Sequence, residues 1–188
     1  MPWRWYGRRR QIIRGASPNA AHRALVRLAR HSREFLLVTQ NVDDLHERAG
    51  LAQKQLVHIH GRIFIDRCIN GDYERARRSS PQGLPRCPRC GGLLRPGVVW
   101  FDEDLNAQDV KRVEDFIARP CDLVLVVGTT ATFPYIVDWA KRAARRHGTL
   151  VEINPRPSRL SRHAALSLRG RAADVLPPLV AKLRRANS

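Results

Sequence analysis

The sequence predicts an α/β fold built on a parallel sheet and interrupted by one small inserted module. Three observations lead there. Short all-apolar runs, Phe35–Val38, Leu123–Val127 and Leu150–Ile153, read as strands buried on both faces. Helical periodicities stand between them. Each run also ends in a polar or glycine-bearing turn: Gln40-Asn41, Gly128-Thr129-Thr130 and Asn154-Pro155. In parallel sheets, ligands bind beyond the carboxyl ends of the strands.

Taken in order, the first clear helix signal is Ser17-Pro18, with serine as the N-cap and proline at the first helical position. That helix should run from about Asn19 to His31, with Ala21, Leu25, Leu28 and Ala29 on one face. The strand Phe35–Val38 follows and leads into Thr39–His46. Residues 67–97 change character: they are rich in Arg, Pro, Gly and Ser and carry three of the four cysteines. This segment reads as a module too small to fold without a staple. Beyond it come a helix at Val110–Ala118, the second strand, a helix at Ile136–Arg146, the third strand and a last helix over Ala172–Arg185. No internal repeat is evident.

At 188 residues and 43% apolar composition, the chain suits one domain (1–188) with a real core, and 67–97 as its insertion. No apolar run approaches a membrane span, and the N-terminus lacks the apolar core of a signal peptide, so a soluble, cytoplasmic protein is expected, with no membrane partner. The net charge is +17, and only Lys54, Lys111, Lys141 and Lys182 among the basic residues are lysine. The arginines are scattered and aromatics are few. Nucleic acid is therefore not expected as the primary partner.

Cys87-Pro88-Arg89-Cys90 has the spacing that turns two thiolates toward one tetrahedral ion. Cys68 offers a third ligand. No fourth is evident, because Gly71 stands where a second C-x-x-C would close. The module either binds zinc with an irregular ligand set or has lost its metal. Cys121 reads as a small apolar thiol at the head of a strand. His58 and His60, two apart on a strand, share a face. They suit either a metal pair or a single functional histidine beside Gly61. Tyr6 and Arg9, three apart, would be neighbours on a helix and offer a phenol and a guanidinium to a carboxylate. By composition alone, they belong to a solvated basic N-terminus.

In combination these segments resemble the sirtuins, from about Trp5 to Leu179. Pro18–Leu25 resembles the helix before the family's TQN strand, Thr39–His46 its NAD-site motif, and His58-Ile59-His60-Gly61 its catalytic histidine motif. Arg95–Phe101 resembles the segment lining the acyl-lysine channel, Gly128-Thr129-Thr130 the family's GTS, and Asn154 its strand-end asparagine. Ala172 stands where the last adenine-side contact would fall. The resemblance implies a Rossmann-like sheet with a zinc-ribbon-like insertion. The implied reaction is NAD-dependent removal of acyl groups from protein lysines, with transfer to ADP-ribose and release of nicotinamide. His60 would be the general base. Gln40, Asn41, Asp43, Gly128, Thr129, Thr130, Asn154 and Ala172 would hold NAD, while Cys68, Cys87 and Cys90 would hold zinc. Val98, Trp100 and Phe101 would hold the lysine stem of an acylated protein substrate.

The Tyr6-x-x-Arg9 pair resembles that of the class III members, which act on succinyl and malonyl groups. Read this way, the pair is an acyl-carboxylate site and no longer only a basic surface. Asp44 and Asp102 replace glycines usual in the family. The glycine-rich phosphate loop that opens a sirtuin is expected to be missing, because the sequence starts downstream of it. An NAD-dependent deacylase therefore stands against an inactive remnant that binds acidic partners through its charge, and against a zinc-ribbon adaptor.

Overall fold

The structure is a computed structural model that describes residues 2–71, 73–145 and 148–186. In chain order its elements are α1 (Pro2–Gly15), α2 (Ala20–His31), β1 (Leu37–Thr39), α3 (Leu45–Arg48), β2 (Leu56–His58), β3 (Gly61–Cys68), β4 (Glu74–Ala76), β5 (Leu94–Val98), α4 (Ala107–Ile117), β6 (Leu123–Val127), α5 (Pro134–Ala143), β7 (Thr149–Ile153), β8 (Leu166–Leu168) and α6 (Ala172–Ala186). They form two compact units, Met1–Pro18 with Leu37–Val110 and Asn19–Leu36 with Lys111–Ser188. No helix among the described residues is long and apolar enough to cross a membrane.

In the first unit β1 and β2 pair in parallel, Leu37 with Leu56 and Thr39 with His58. A three-stranded antiparallel sheet, β4-β3-β5, follows. The β3–β5 register shifts between Arg62 and Asp66. This bulge releases carbonyls of β3 from the ladder, and Arg10 of α1 takes two of them: Nε donates to Ile63 O at 2.8 Å and Nη2 to Ile65 O at 3.3 Å. Its Nη1 donates to Ser79 O at 3.2 Å, and Nη2 reaches Asp66 Oδ1 at 2.9 Å. Arg10 and Asp66 are both fully buried, and Asp66 also accepts from Arg77 Nε at 2.8 Å and Arg75 Nε at 3.4 Å. Tyr6 and Ile13, on the same face of α1 as Arg10, pack against Ile63, Phe64 and Val98.

The second unit is a parallel sheet in the order β6-β7-β8. One apolar cluster joins Ala21 and Ala24 of α2, Val151 and Ile153 of β7, and Leu176 and Val180 of α6. Another joins Val126, Ala131, Ala140, Leu150 and Leu160.

The three expected strands are present, but they are shared between two parallel sheets. The helix expected from Ser17-Pro18 starts later. Asn19 is the N-cap: its side-chain oxygen accepts from Ala21 N and His22 N, and His22 Nδ1 accepts from Asn19 N. An asparagine that closes a reciprocal capping box outcompetes a serine two residues earlier. The helix expected at Ile136–Arg146 spans Pro134–Ala143, with proline at its start. Arg146 lies outside the described residues.

Removing Asp66 would leave the buried Arg10 guanidinium without its counter-charge. Asp66→Ala should cost about 3–5 kcal/mol in urea unfolding, whereas removing the exposed pair partner in Lys111→Ala should change stability by under about 1 kcal/mol.

Candidate active site

The carboxyl ends of β1 and β2 run side by side, and Ile59 N continues the pairing by donating to Thr39 O at 3.1 Å. The polar turns beyond them therefore meet. Thr39 Oγ1 accepts from Asn41 N at 3.1 Å, and Asp43 Oδ1 from Leu45 N at 3.0 Å, so both side chains shape the turn carrying Gln40 and Asn41. His60 is half-buried, and its Nδ1 lies 3.2 Å from Gln40 O. A carbonyl only accepts, so the proton sits on Nδ1 and the lone pair on Nε2. Burial lowers the His60 pKa, and the bond to Gln40 only partly offsets this.

His58 has a different task. Its Nδ1 lies 3.2 Å from Asn41 O and its Nε2 2.8 Å from Glu47 Oε1. Both partners are acceptors, so both bonds form together only when the ring carries two protons. Glu47 is pulled below the ordinary carboxylate range: burial raises it, but the bond and charge of His58 outweigh that. The metal-pair reading of His58 and His60 finds no support, because the only cluster of three or more metal-type ligands among the described residues is Cys68, Cys87 and Cys90.

Gly61 turns the chain from His60 into β3 with φ +77°, and a Cβ there would lie 2.2 Å from Gly97 O. Only glycine allows this approach of β5. Val99 N then donates to His60 O at 2.9 Å, so the segment from Val98 to Phe101 leaves alongside the histidine. Trp100 Nε1 donates to Tyr6 Oη at 3.0 Å, and the Arg95 guanidinium covers the indole at 4.5 Å. Glu103 holds Arg95 and the Trp100 N–H, each at 3.0 Å. Phe101 is 89% exposed, and Asp102 follows with φ +68°, a left-handed conformation that explains why glycine suits this position. Arg9 lies one turn from Tyr6 with its guanidinium 4.6 Å above the Trp5 ring, and Trp5 meets Tyr6 edge-on at 4.6 Å. The solvated basic N-terminus is thus a helix with a buried face, and its Tyr6 and Arg9 are placed by aromatic contacts.

In the second unit Gly128 ends β6 with φ +64° and open space where a Cβ would stand. Asn154 ends the neighbouring β7 and donates from Nδ2 to Thr129 O at 2.7 Å, tying two of the expected residues together. Thr130 Oγ1 contacts Thr132 Oγ1 at 2.8 Å, and Ala131 takes φ +51° behind them. Ala172 opens α6 and packs into the core.

Sequence reasoning missed Glu152, which is 1% exposed. It accepts from Ser158, from Ser161 at 2.7 Å, from Ser167 at 3.2 Å and from Arg169 at 2.8 Å. Burial raises its pKa, yet these donors hold it below the usual range. The loop after Asn154 is thereby fastened to β7. Serines recurring near Arg169 were the available signal.

The sulfurs of Cys68, Cys87 and Cys90 lie within 4.8 Å of one another, with Cys68 and Cys90 at 3.5 Å. Zn–S bonds of ~2.3 Å in a tetrahedron separate sulfurs by roughly 3.8 Å, so the cluster fits zinc. Burial works against a Cys87 thiolate, but the N–H groups of Arg89 and Cys90 and the neighbouring thiols outweigh it and lower its pKa. Cys121 stands apart, donating to Arg119 O at 3.8 Å, with its thiol pushed up chiefly by burial.

The Sir2 family model matches residues 1–133. The NAD-dependent protein deacylase 1 of Archaeoglobus fulgidus is 39% identical over 188 residues, covering 99% of this chain and 76% of its own. The NAD-dependent protein deacylase of Pyrococcus furiosus is 41% identical, covering 97% and 75%. Among solved structures, a Sir2 homologue in complex with NAD superposes with a TM-score of 0.92 at 39% identity, covering 99% of this chain and 72% of that one. A mutant Sir2 homologue in complex with ADP-ribose gives 0.91 at 38% identity, covering 98% and 74%. With fold, motif order and sequence agreeing over nearly its whole length, the chain belongs to the Sir2 family.

Proposed function

We propose that this protein is an NAD-dependent protein lysine deacylase with His60 as its general base, and that it favours acidic acyl groups. The observation that carries the reading is the state of His60. Its Nδ1 proton is committed to Gln40 O, its burial favours the neutral ring, and its own carbonyl pairs with Val99 on the segment leading to Trp100. A neutral imidazole whose Nε2 holds the lone pair is ready to take a proton near neutral pH.

NAD, when bound, supplies the ribose carbon that accepts the acyl group. By the family resemblance, Gln40, Asn41, Asp43, Gly128, Thr129, Thr130, Asn154 and Ala172 are the residues assigned to it. The donor set suits that ligand. Gly128 exposes backbone at a strand end, Asn154 carries a carboxamide beside it, and the turn at Gln40-Asn41 offers two more. Val98, Trp100 and Phe101 flank the acylated lysine through apolar contact. The Tyr6 hydroxyl accepts the indole proton of Trp100, so its own O–H remains to donate to an acyl carboxylate. Arg9 stacks its face on Trp5, which leaves the in-plane N–H groups for a bidentate bond. The partners are acylated-lysine proteins. None of the four cysteines is in a disulfide, which fits a reducing cytoplasm.

Nicotinamide release from NAD, measured with a succinyl-lysine and an acetyl-lysine peptide, tests the reading. Peptide-dependent release is expected to fall about 100-fold or more in His60→Ala, and a folded chain that releases none overturns it. Because His60 is held below the ordinary imidazole value of ~6.5, kcat/KM should persist as pH falls through that value and decline only below it. A limb at or above the ordinary value would contradict the assigned environment. Tyr6→Phe and Arg9→Met should each raise KM for the succinyl peptide about tenfold or more, leaving the acetyl peptide nearly unchanged. Equal losses on both peptides would remove the pair from acyl recognition.

A further inference from the structure

We propose that the side-chain oxygen of Asn70 is the fourth ligand of a zinc ion held by Cys68, Cys87 and Cys90. The proposal rests on the reading of this cluster as a zinc site and extends it to the place where the sequence offers no fourth cysteine. Three thiolates leave one corner of a tetrahedron unfilled, and a structural site is closed. Gly71, where a cysteine would complete the pattern, has no side chain and open space around its Cβ position.

Asn70, one residue earlier, is already bound to the cluster: its backbone N–H points at Cys68 Sγ, 3.4 Å away. Its carboxamide lies near Cys90 as well. The point where Gly92 would carry a Cβ is 2.6 Å from Asn70 Nδ2, 3.4 Å from Asn70 Cγ and 3.3 Å from Cys90 Sγ. The amide and the Cys90 sulfur therefore flank one spot, and glycine at 92 is what makes room for both. Among the described residues, the Asn70 side chain has no hydrogen-bond partner. A half-turn of the amide exchanges its nitrogen and oxygen, which puts an acceptor at the spot shared with the Cys90 sulfur. Oxygen is an accepted zinc donor at ~2.0–2.2 Å. A neutral amide also leaves the complex with one negative charge, where a fourth thiolate would leave two.

The test uses the full chain, stripped of metal and titrated with zinc alone against a chromophoric chelator, with Co²⁺ substitution as a second readout. One equivalent should bind. Asn70→Ala should weaken zinc at least as much as loss of a supporting residue does, about 10- to 100-fold, and should alter the visible cobalt bands. Asn70→Asp should tighten binding, and Asn70→Cys should give the cobalt spectrum of a four-thiolate site. Far-ultraviolet circular dichroism checks that each variant is folded. Stoichiometric zinc with affinity and cobalt bands unchanged in Asn70→Ala overturns Asn70 as ligand while leaving the three-cysteine site. No zinc uptake by the folded parent chain overturns both.

Discussion

Arg10 and Asp66 are shut off from solvent, and charges in that position persist only when their polar atoms are matched. The bulge in β3 supplies the match, by turning the carbonyls of Ile63 and Ile65 away from β5 and toward the guanidinium. Helix α1 is thereby pinned to the bulged strand in one register. That register brings Tyr6 to the indole of Trp100 and to the cluster of Ile63, Phe64 and Val98. From there, glycines 61 and 97 let β5 come close enough for Val99 to reach the His60 carbonyl. The acyl end and the proton-accepting end of the candidate site are connected by an unbroken series of contacts that begins at a buried charge pair.

Much of this was legible because the residues that carry chemistry sit at strand ends, where the apolar run stops and the polar turn begins. Thr39–His46 and Gly128–Thr130 can be read that way from the sequence alone. The tautomer of His60 could not, because it depends on a backbone carbonyl 20 residues away in sequence. Helix α1 was hidden for a related reason. Its inward face carries an arginine at Arg10, so the apolar periodicity that betrays a helix is broken at its centre. Glu152 was hidden likewise, since a carboxylate on a strand reads as a solvent-facing residue until its four donors are seen. The cap at Asn19 was lost to a stronger-looking Ser-Pro signal. Periodicity reports apolar burial well and buried polar networks poorly, and this chain uses two such networks.

Those two networks differ in the length of chain they close. The Arg10–Asp66 bond joins residues 56 apart, while the farthest of the Glu152 serines is only 15 residues along. Closing the longer loop costs about 1 kcal/mol more in chain entropy. Contacts of that range slow folding, since the loop must close before the contact repays it. Of the two polar networks, the one in the unit that holds the candidate base is thus the costlier to form. Until that contact closes, the carbonyls of Ile63 and Ile65 lack the donor they have in the finished fold. Newly made chains are therefore exposed to mispairing at β3, the strand that begins directly after the candidate base.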